Sequence, residues 1–360
     1  MAALPEREIF RREADETPET IKGCTGLSSA RVYQFKEAED MGNYIGYHPV
    51  DSSKVSRFCG IRSFMRLPQL QTTEGIDFGI IGAPVDTGST FRTGSRFAPA
   101  AIREMSMMLR AASVNLDVDI FEYVSGADFG DINVSPCNLE KAHKAIEEGI
   151  QPLVDAGVVP ICLGGDHSIT LPELRAVARK YGPVALVHFD AHLDTYDEEN
   201  GDTLTHGTPF WLAVKEGLID TAHSIQVGVR GLFSTDAIRV SEELGFKVIT
   251  ANELRRLGLD AVGAEINKRV GNRQAFLTFD IDFVDPAYAP GTGTIEVGGL
   301  TSYEALYLLR QTKDLNYIGC DVVEVLPAFD PTQITAYMAG CVAHEFIAMM
   351  ACRKRDSQSR

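Results

Sequence analysis

The sequence has no surplus of positive charge: 34 Lys and Arg stand against 50 Asp and Glu, a net charge of −16. That excludes nucleic acid as an expected partner, because nothing offsets a phosphate backbone. Most of the charge is what an acidic, soluble surface carries, with a mild pull on cationic ligands. The seven cysteines (Cys24, Cys59, Cys137, Cys162, Cys320, Cys341 and Cys352) are scattered, odd in number and never in C-x-x-C spacing. Neither a disulfide frame nor a thiolate zinc site is expected, and reduced thiols point to the cytoplasm. No apolar run reaches the ~18 residues of a membrane span. The opening MAALPEREIFRREADETPET lacks the apolar centre of a secretory signal.

What the chain does have is alternation. With 360 residues and 44% hydrophobic ones it can bury a sizeable core. Apolar runs of strand length recur at Asp77–Ala83, Gly126–Ile132, Val158–Leu163, Val184–Phe189, Ser224–Val229, Phe246–Ile249, Ala275–Phe279 and Tyr317–Val323. Between them lie stretches of helical period, such as Leu139–Val154, and a long terminal helix is expected over Thr332–Ala351. Strands separated by helices imply parallel pairing with right-handed crossovers. The expected fold class is α/β, a three-layer αβα sandwich with a mostly parallel sheet of about eight strands; a TIM barrel has similar alternation, and periodicity does not separate the two. The expected organisation is an N-terminal arm over 1–70, one domain over 71–352 and a solvated polar tail over 353–360.

Three strand ends carry unusual side chains. The run Val184–Phe189 breaks into Asp190, His192 and Asp194. If the chain stays extended, the pleat points all three the same way. Val158–Leu163 leads into Gly164-Gly165-Asp166-His167, and Ala275–Phe279 leads into Asp280 and Asp282. Strand ends are where open α/β sheets bind ligands. Carboxylates gathered in a buried site repel one another and resist losing water, and divalent cations remove both penalties. The donors His167, Asp190, His192, Asp194, Asp280 and Asp282 exceed what one ion takes, and suit two ions sharing carboxylates. Hard oxygens and imidazoles without thiolate favour Mn²⁺ over a structural zinc, with Ni²⁺, Co²⁺ and Fe²⁺ as alternatives by ligand type. Paired ions hold a bridging water and lower its pKa, which points to hydrolysis.

These pieces, with THGTPF (Thr205–Phe210), TFDIDFVDPAYAPGTGT (Thr278–Thr294), GGLT (Gly298–Thr301) and DVVEVLPAFD (Asp321–Asp330), closely resemble the ureohydrolases, the family of arginase, agmatinase and related guanidino-group hydrolases. The resemblance implies the αβα fold, a binuclear and usually manganese centre, and hydrolysis of a guanidino group to urea and an amine. It implies one ion on His167, Asp190, Asp194 and Asp280, and the other on Asp190, His192, Asp280 and Asp282. His206 matches the family's histidine outside the metal ligands, suited to passing a proton to the departing amine. Glu324 matches the carboxylate that grips the guanidinium in a forked pair. Asp166 is expected to orient a ligand from behind. His188 is expected in the core on the opposite face of its strand, with His344 and Trp211 packing.

The segment TYDEENGDTLT between Asp194 and His206 holds Asp197, Glu198, Glu199 and Asp202 and no basic residue. It would repel a carboxylate and attract a second cation, so agmatine leads as substrate. Ile295 and Trp211-Leu212 depart from the agmatinase pattern and leave 4-guanidinobutyrate, guanidine or a biguanide such as metformin as alternatives. A formimino-group hydrolase and a non-catalytic subunit of a hetero-oligomer are the further alternatives. The resemblance implies a homo-oligomer, trimer or hexamer, with no membrane partner.

Overall fold

The computed structural model describes residues 44–231, 234 and 236–358. The first 43 residues of the expected N-terminal arm lie outside the described residues.

The main sheet opens with β1 (Phe78–Gly82). Helix α1 (Ala98–Ser106) follows, with Pro99 in its first turn, where an absent N–H leaves no bond unmade. A small hairpin, β2 (Ala112–Ser113) and β3 (Val118–Asp119), precedes β4 (Gly126–Asp131). Helix α2 (Leu139–Ala156) starts where the Asn138 side chain accepts the Lys141 N–H, and stops at Gly157 in the left-handed region. Then come β5 (Val159–Leu163), α3 (Thr170–Tyr181), β6 (Ala185–Phe189) and α4 (Pro209–Lys215). They are followed by β7 (Ile225–Val229), α5 (Asp236–Glu243), β8 (Lys247–Thr250) and α6 (Ala251–Leu257). The chain ends with α7 (Leu259–Val270), β9 (Gln274–Asp280), α8 (Ser302–Arg310), β10 (Asn316–Val323) and α9 (Ile334–Gln358).

Eight strands form one parallel sheet in the order β4-β1-β5-β10-β9-β6-β7-β8. β4 and β8 stand at its two edges and do not pair with each other, so the sheet is open and the barrel alternative falls. Side chains alternate between two cores. Ile161, Val187, Leu277 and Val322 pack on one face with α1, α7, α8 and α9, and Cys162, Leu186, Phe276 and Val323 on the other with α2, α3 and α4. The four central strands β5, β10, β9 and β6 end side by side. The segments leaving them carry His167, Glu324, Asp280 with Asp282, and the Asp190–Asp194 run, so topology alone gathers the candidate site.

Three expectations change. Helix α6 is an added element, a seven-residue turn held by a capping box between Thr250 and Glu253 and too short for periodicity to register. The tail over 353–358 is not a solvated stretch of chain but the last turns of α9. Arg353 donates to Leu315 O (2.7 Å), Lys354 to Asp77 Oδ1 (2.6 Å) and Arg355 to Asp117 O (2.7 Å), which pins those turns to the body. Finally, α9 is long and apolar enough to cross a membrane by composition, but most of that stretch is buried against the sheet and its neighbouring helices, as in a core helix.

Candidate metal centre

The convergence of Asp190, His192 and Asp194 does not come from an extended pleat. β6 ends at Phe189, the chain bends, and Asp194 sits in the left-handed region at φ 50°. For a non-glycine residue that conformation is strained and persists only where surroundings hold it. The Asp190 carboxylate shapes the bend by accepting the His192 N–H at 2.6 Å.

Two groups of donors result. His167 Nδ1 lies 3.1 Å from Asp190 Oδ2, 2.9 Å from Asp194 Oδ2 and 3.3 Å from Asp280 Oδ2. His192 Nδ1 lies 3.4 Å from Asp190 Oδ1 and 3.1 Å from Asp282 Oδ2. Asp190 therefore presents one oxygen to each group. Asp280 faces the first group with Oδ2, while its Oδ1 accepts the Asp282 N–H at 2.8 Å. The fully buried His167 Nδ1 makes no hydrogen bond despite three carboxylates around it. That is how ligands stand around a cation. Burial, then the charges of Asp282 and Asp190, pushes the Asp280 carboxyl well above the usual range, and burial, then Asp190, raises Asp194. Cations at these positions would relieve that repulsion, so the residues fit a pair of divalent ions.

The His167 ring is held from behind. Nε2 lies 2.7 Å from Thr278 Oγ1, which fixes the ring and leaves Nδ1 facing the carboxylates. Thr278 is the register partner of Asp321 on β10, whose Oδ2 accepts Thr170 Oγ1 at 2.7 Å. Asp166 acts through the backbone. It caps the short turn His167–Ile169 by accepting the Ser168 N–H and also accepts the Gly88 N–H at 2.7 Å. Burial, then the charge of Glu324, lifts its carboxyl to about 6. Gly165 has no room for a side chain, since a Cβ would sit 1.8 Å from Val85 O.

Glu324 and His206 join beside this cluster. Glu324, at φ 62°, accepts the His167 N–H and His206 Nδ1 on Oε1, each at 2.9 Å. Its Oε2 is buried without a partner, and a Cβ on Gly293 would lie 3.6 Å from it. The expected fork is thereby reduced to one open oxygen. His206 Nε2 meets Thr90 Oγ1 at 2.8 Å and the Thr90 N–H at 3.2 Å. Burial pulls the His206 pKa down, but the Glu324 carboxylate outweighs it and raises the value to about 9. The Thr90 N–H suits a neutral ring and the Thr90 hydroxyl a charged one; the surrounding carboxylates favour the charged ring.

A cavity opens beside His206, lined by His192, Asp194, His206, Thr90 and Thr294, and by Glu199 from the acidic segment, with Glu324 buried next to it. Glu199 is held there by Thr205 Oγ1 and by the Gly207 N–H at 3.1 Å. Ile295 and Trp211 are not among the lining residues; Trp211 stacks on Lys215 at 4.3 Å instead. His344 is buried on α9, 2.8 Å from Arg110 O, and is structural as expected. His188 is buried as expected, but not on the opposite face. It lies two residues before Asp190, hence on the same side of the strand, and its Nε2 is 2.7 Å from Asp190 Oδ2. Thr90 carries no signal of a role in the sequence, and Thr278 and Asp321 stand there only as the first residues of two motifs. Only the register of adjacent strands and the path of the loops bring them here.

The sequence profile of the arginase family matches residues 76–349. The mitochondrial guanidino acid hydrolase of Homo sapiens is 42% identical over 303 residues, 84% of this chain and 86% of that protein. The mitochondrial agmatinase of Gallus gallus is also 42% identical over 303 residues, 84% of this chain and 89% of its own. Among solved structures, the proclavaminate amidino hydrolase of Streptomyces clavuligerus superposes with a TM-score of 0.80 at 39% identity, covering 83% of this chain and 100% of that one. Fold, His/Asp cluster and relatives agree: the chain belongs to the arginase family.

Proposed function

We propose that this chain hydrolyses a guanidino C–N bond to urea and an amine, with agmatine as the leading substrate. The observation that carries the reading is the open oxygen of Glu324, buried without a partner beside the His/Asp cluster and next to His206. A buried carboxylate oxygen in that position calls for a cationic donor, and a planar guanidinium supplies one.

His167, Asp190, Asp194 and Asp280 would hold one divalent ion, and Asp190, His192, Asp280 and Asp282 the other. Mn²⁺ is our first choice and Ni²⁺ the alternative. When bound, such a pair supplies hydroxide near neutral pH. Glu324 Oε2 orients the guanidinium against it. His206 stays protonated through neutral pH, with its pKa raised to about 9 by Glu324, and delivers a proton to the departing amine nitrogen. Thr90 Oγ1 steadies the Nε2 that carries this proton.

Substrate choice rests on the acidic wall of the cavity. Glu199 lines it, and no Lys or Arg is among the lining residues. A terminal amine suits that wall, and a carboxylate does not. The second reading, 4-guanidinobutyrate, is favoured by the human relative, whose name specifies a guanidino acid. We further propose a homo-oligomer working in a reducing compartment, the cytoplasm first, since the cysteines among the described residues are free thiols.

The test is urea release from the purified chain loaded separately with Mn²⁺ and Ni²⁺, across agmatine, arginine, 4-guanidinobutyrate, guanidine and metformin. Urea from agmatine above the rest is the expected result. Urea from none of them, with both ions bound, overturns the reading in favour of formimino substrates or a missing partner subunit.

A further inference from the structure

We infer that His188 positions the shared carboxylate of Asp190 as a fixed Nε2–H donor, and is not itself a metal ligand. The inference rests on the metal centre proposed above. His188, Asp190 and His167 crowd closely enough to be taken for one three-residue ion site. The hydrogen bonds behind His188 decide otherwise.

His188 on β6 and Gln226 on β7 are register partners across the sheet, and both are fully buried. Gln226 Nε2 lies 2.6 Å from Leu193 O and 3.0 Å from His188 Nδ1, while Gln226 Oε1 accepts the hydroxyl of buried Ser241. The Leu193 carbonyl oxygen can only accept, and within the Gln226 amide only the nitrogen donates, so that nitrogen must face Leu193. The same NH₂ group then donates to His188 Nδ1, and Nδ1 must be the acceptor. The ring proton is left on Nε2, 2.7 Å from Asp190 Oδ2. A nitrogen that carries a proton cannot coordinate an ion. Phe210 closes the other side, its ring centroid 4.5 Å from that of His188, so the imidazole cannot swing away.

Asp190 is thereby clamped at both oxygens. Oδ2 takes the His188 proton and faces the His167 group; Oδ1 takes the His192 N–H and faces the other. The carboxylate cannot rotate to give both oxygens to one ion, and the division between two ions is set before either arrives. Gln226 also ties down Leu193, inside the D-x-H-x-D loop, so one amide orients the shared ligand and fixes the loop that carries the others.

The test is a titration of the metal-stripped full chain with Mn²⁺, read by calorimetry and by the electron paramagnetic resonance of the spin-coupled pair, with urea release alongside. His188→Phe keeps the ring and removes the donor; His188→Gln restores an N–H near the Nε2 position. The expected result is two ions in every variant, with His188→Phe weakened about 10–100-fold, the range for partners behind a ligand, and His188→Gln recovering most of it. Loss of one whole ion in His188→Phe would make His188 a ligand and overturn the inference. Unchanged affinity would make it mere packing and overturn it as well. If His188→Phe does not fold, ¹⁵N NMR of the wild-type ring decides: an Nε2–H tautomer is expected, and an Nδ1–H tautomer overturns the inference. A wild type that binds no divalent ion removes the metal centre itself, a separate failure that no variant is needed to see.

Discussion

The two halves of the candidate metal centre are built differently. The His167 ring has no exposed side-chain surface and faces three carboxylates; the His192 ring is 17% exposed and faces two. His167 is backed by Thr278 in the core. His192 has Glu296 behind it at 4.0 Å, itself one-third exposed. The enclosed half also connects directly to the reacting groups, because Glu324 accepts both the His167 N–H and His206. Opposite charges attract more strongly where water screens them less, and the enclosed half offers one carboxylate more. The enclosed half is expected to keep its ion, and the open half to exchange it.

The strongest way to break the comparison is to remove what the halves share. Asp190→Asn should weaken both ions by more than about 100-fold, beyond what partners behind a ligand contribute, and reduce urea release to background; calorimetric stoichiometry checks it. His206→Asn should leave both ions in place but lower kcat about 10²–10⁴-fold, the contribution of a positioned acid, measured as steady-state urea release. The same variant should lose the alkaline limb, since the His206 proton is held below about 9 and lost above it. Glu296→Gln sharpens the contrast: affinity at the second, weaker ion should fall about tenfold while the first is unmoved, visible as a change in only one step of a Mn²⁺ titration. The smallest effect is expected at the cavity's acidic wall. Glu199→Gln, which keeps the acceptor to Gly207, should raise KM for agmatine about tenfold, one charge-assisted hydrogen bond, and leave 4-guanidinobutyrate unchanged or improved.

Much of this architecture is legible in the amino-acid sequence. The alternation of apolar runs and helical stretches is a consequence of burying both faces of a parallel sheet, and it marks all eight strands. The six donors stand out because carboxylates and imidazoles at the ends of apolar runs have no packing reason to be there. Strand order is another matter. Nothing local in β5, β10, β9 and β6 says that they are neighbours, so the handing of His167 to Thr278 and of His188 to Gln226 depends on pairings between residues far apart in sequence. The bend after Phe189 escapes a sequence reading because an aspartate in the left-handed region leaves no mark in a pattern of hydrophobicity. The opposite-face expectation for His188 is an error of strand parity, which its two-residue distance from Asp190 settles.

Stepwise loading of the stripped chain with Mn²⁺, with bound ion and urea from agmatine followed in the same samples, separates the enclosed half of the centre from the open one. Two unequal binding steps are predicted, the first tight and without urea, the second weaker and accompanied by it. A single ion per chain, two equal steps, or full urea release after the first would contradict the account of an enclosed and an open half acting together.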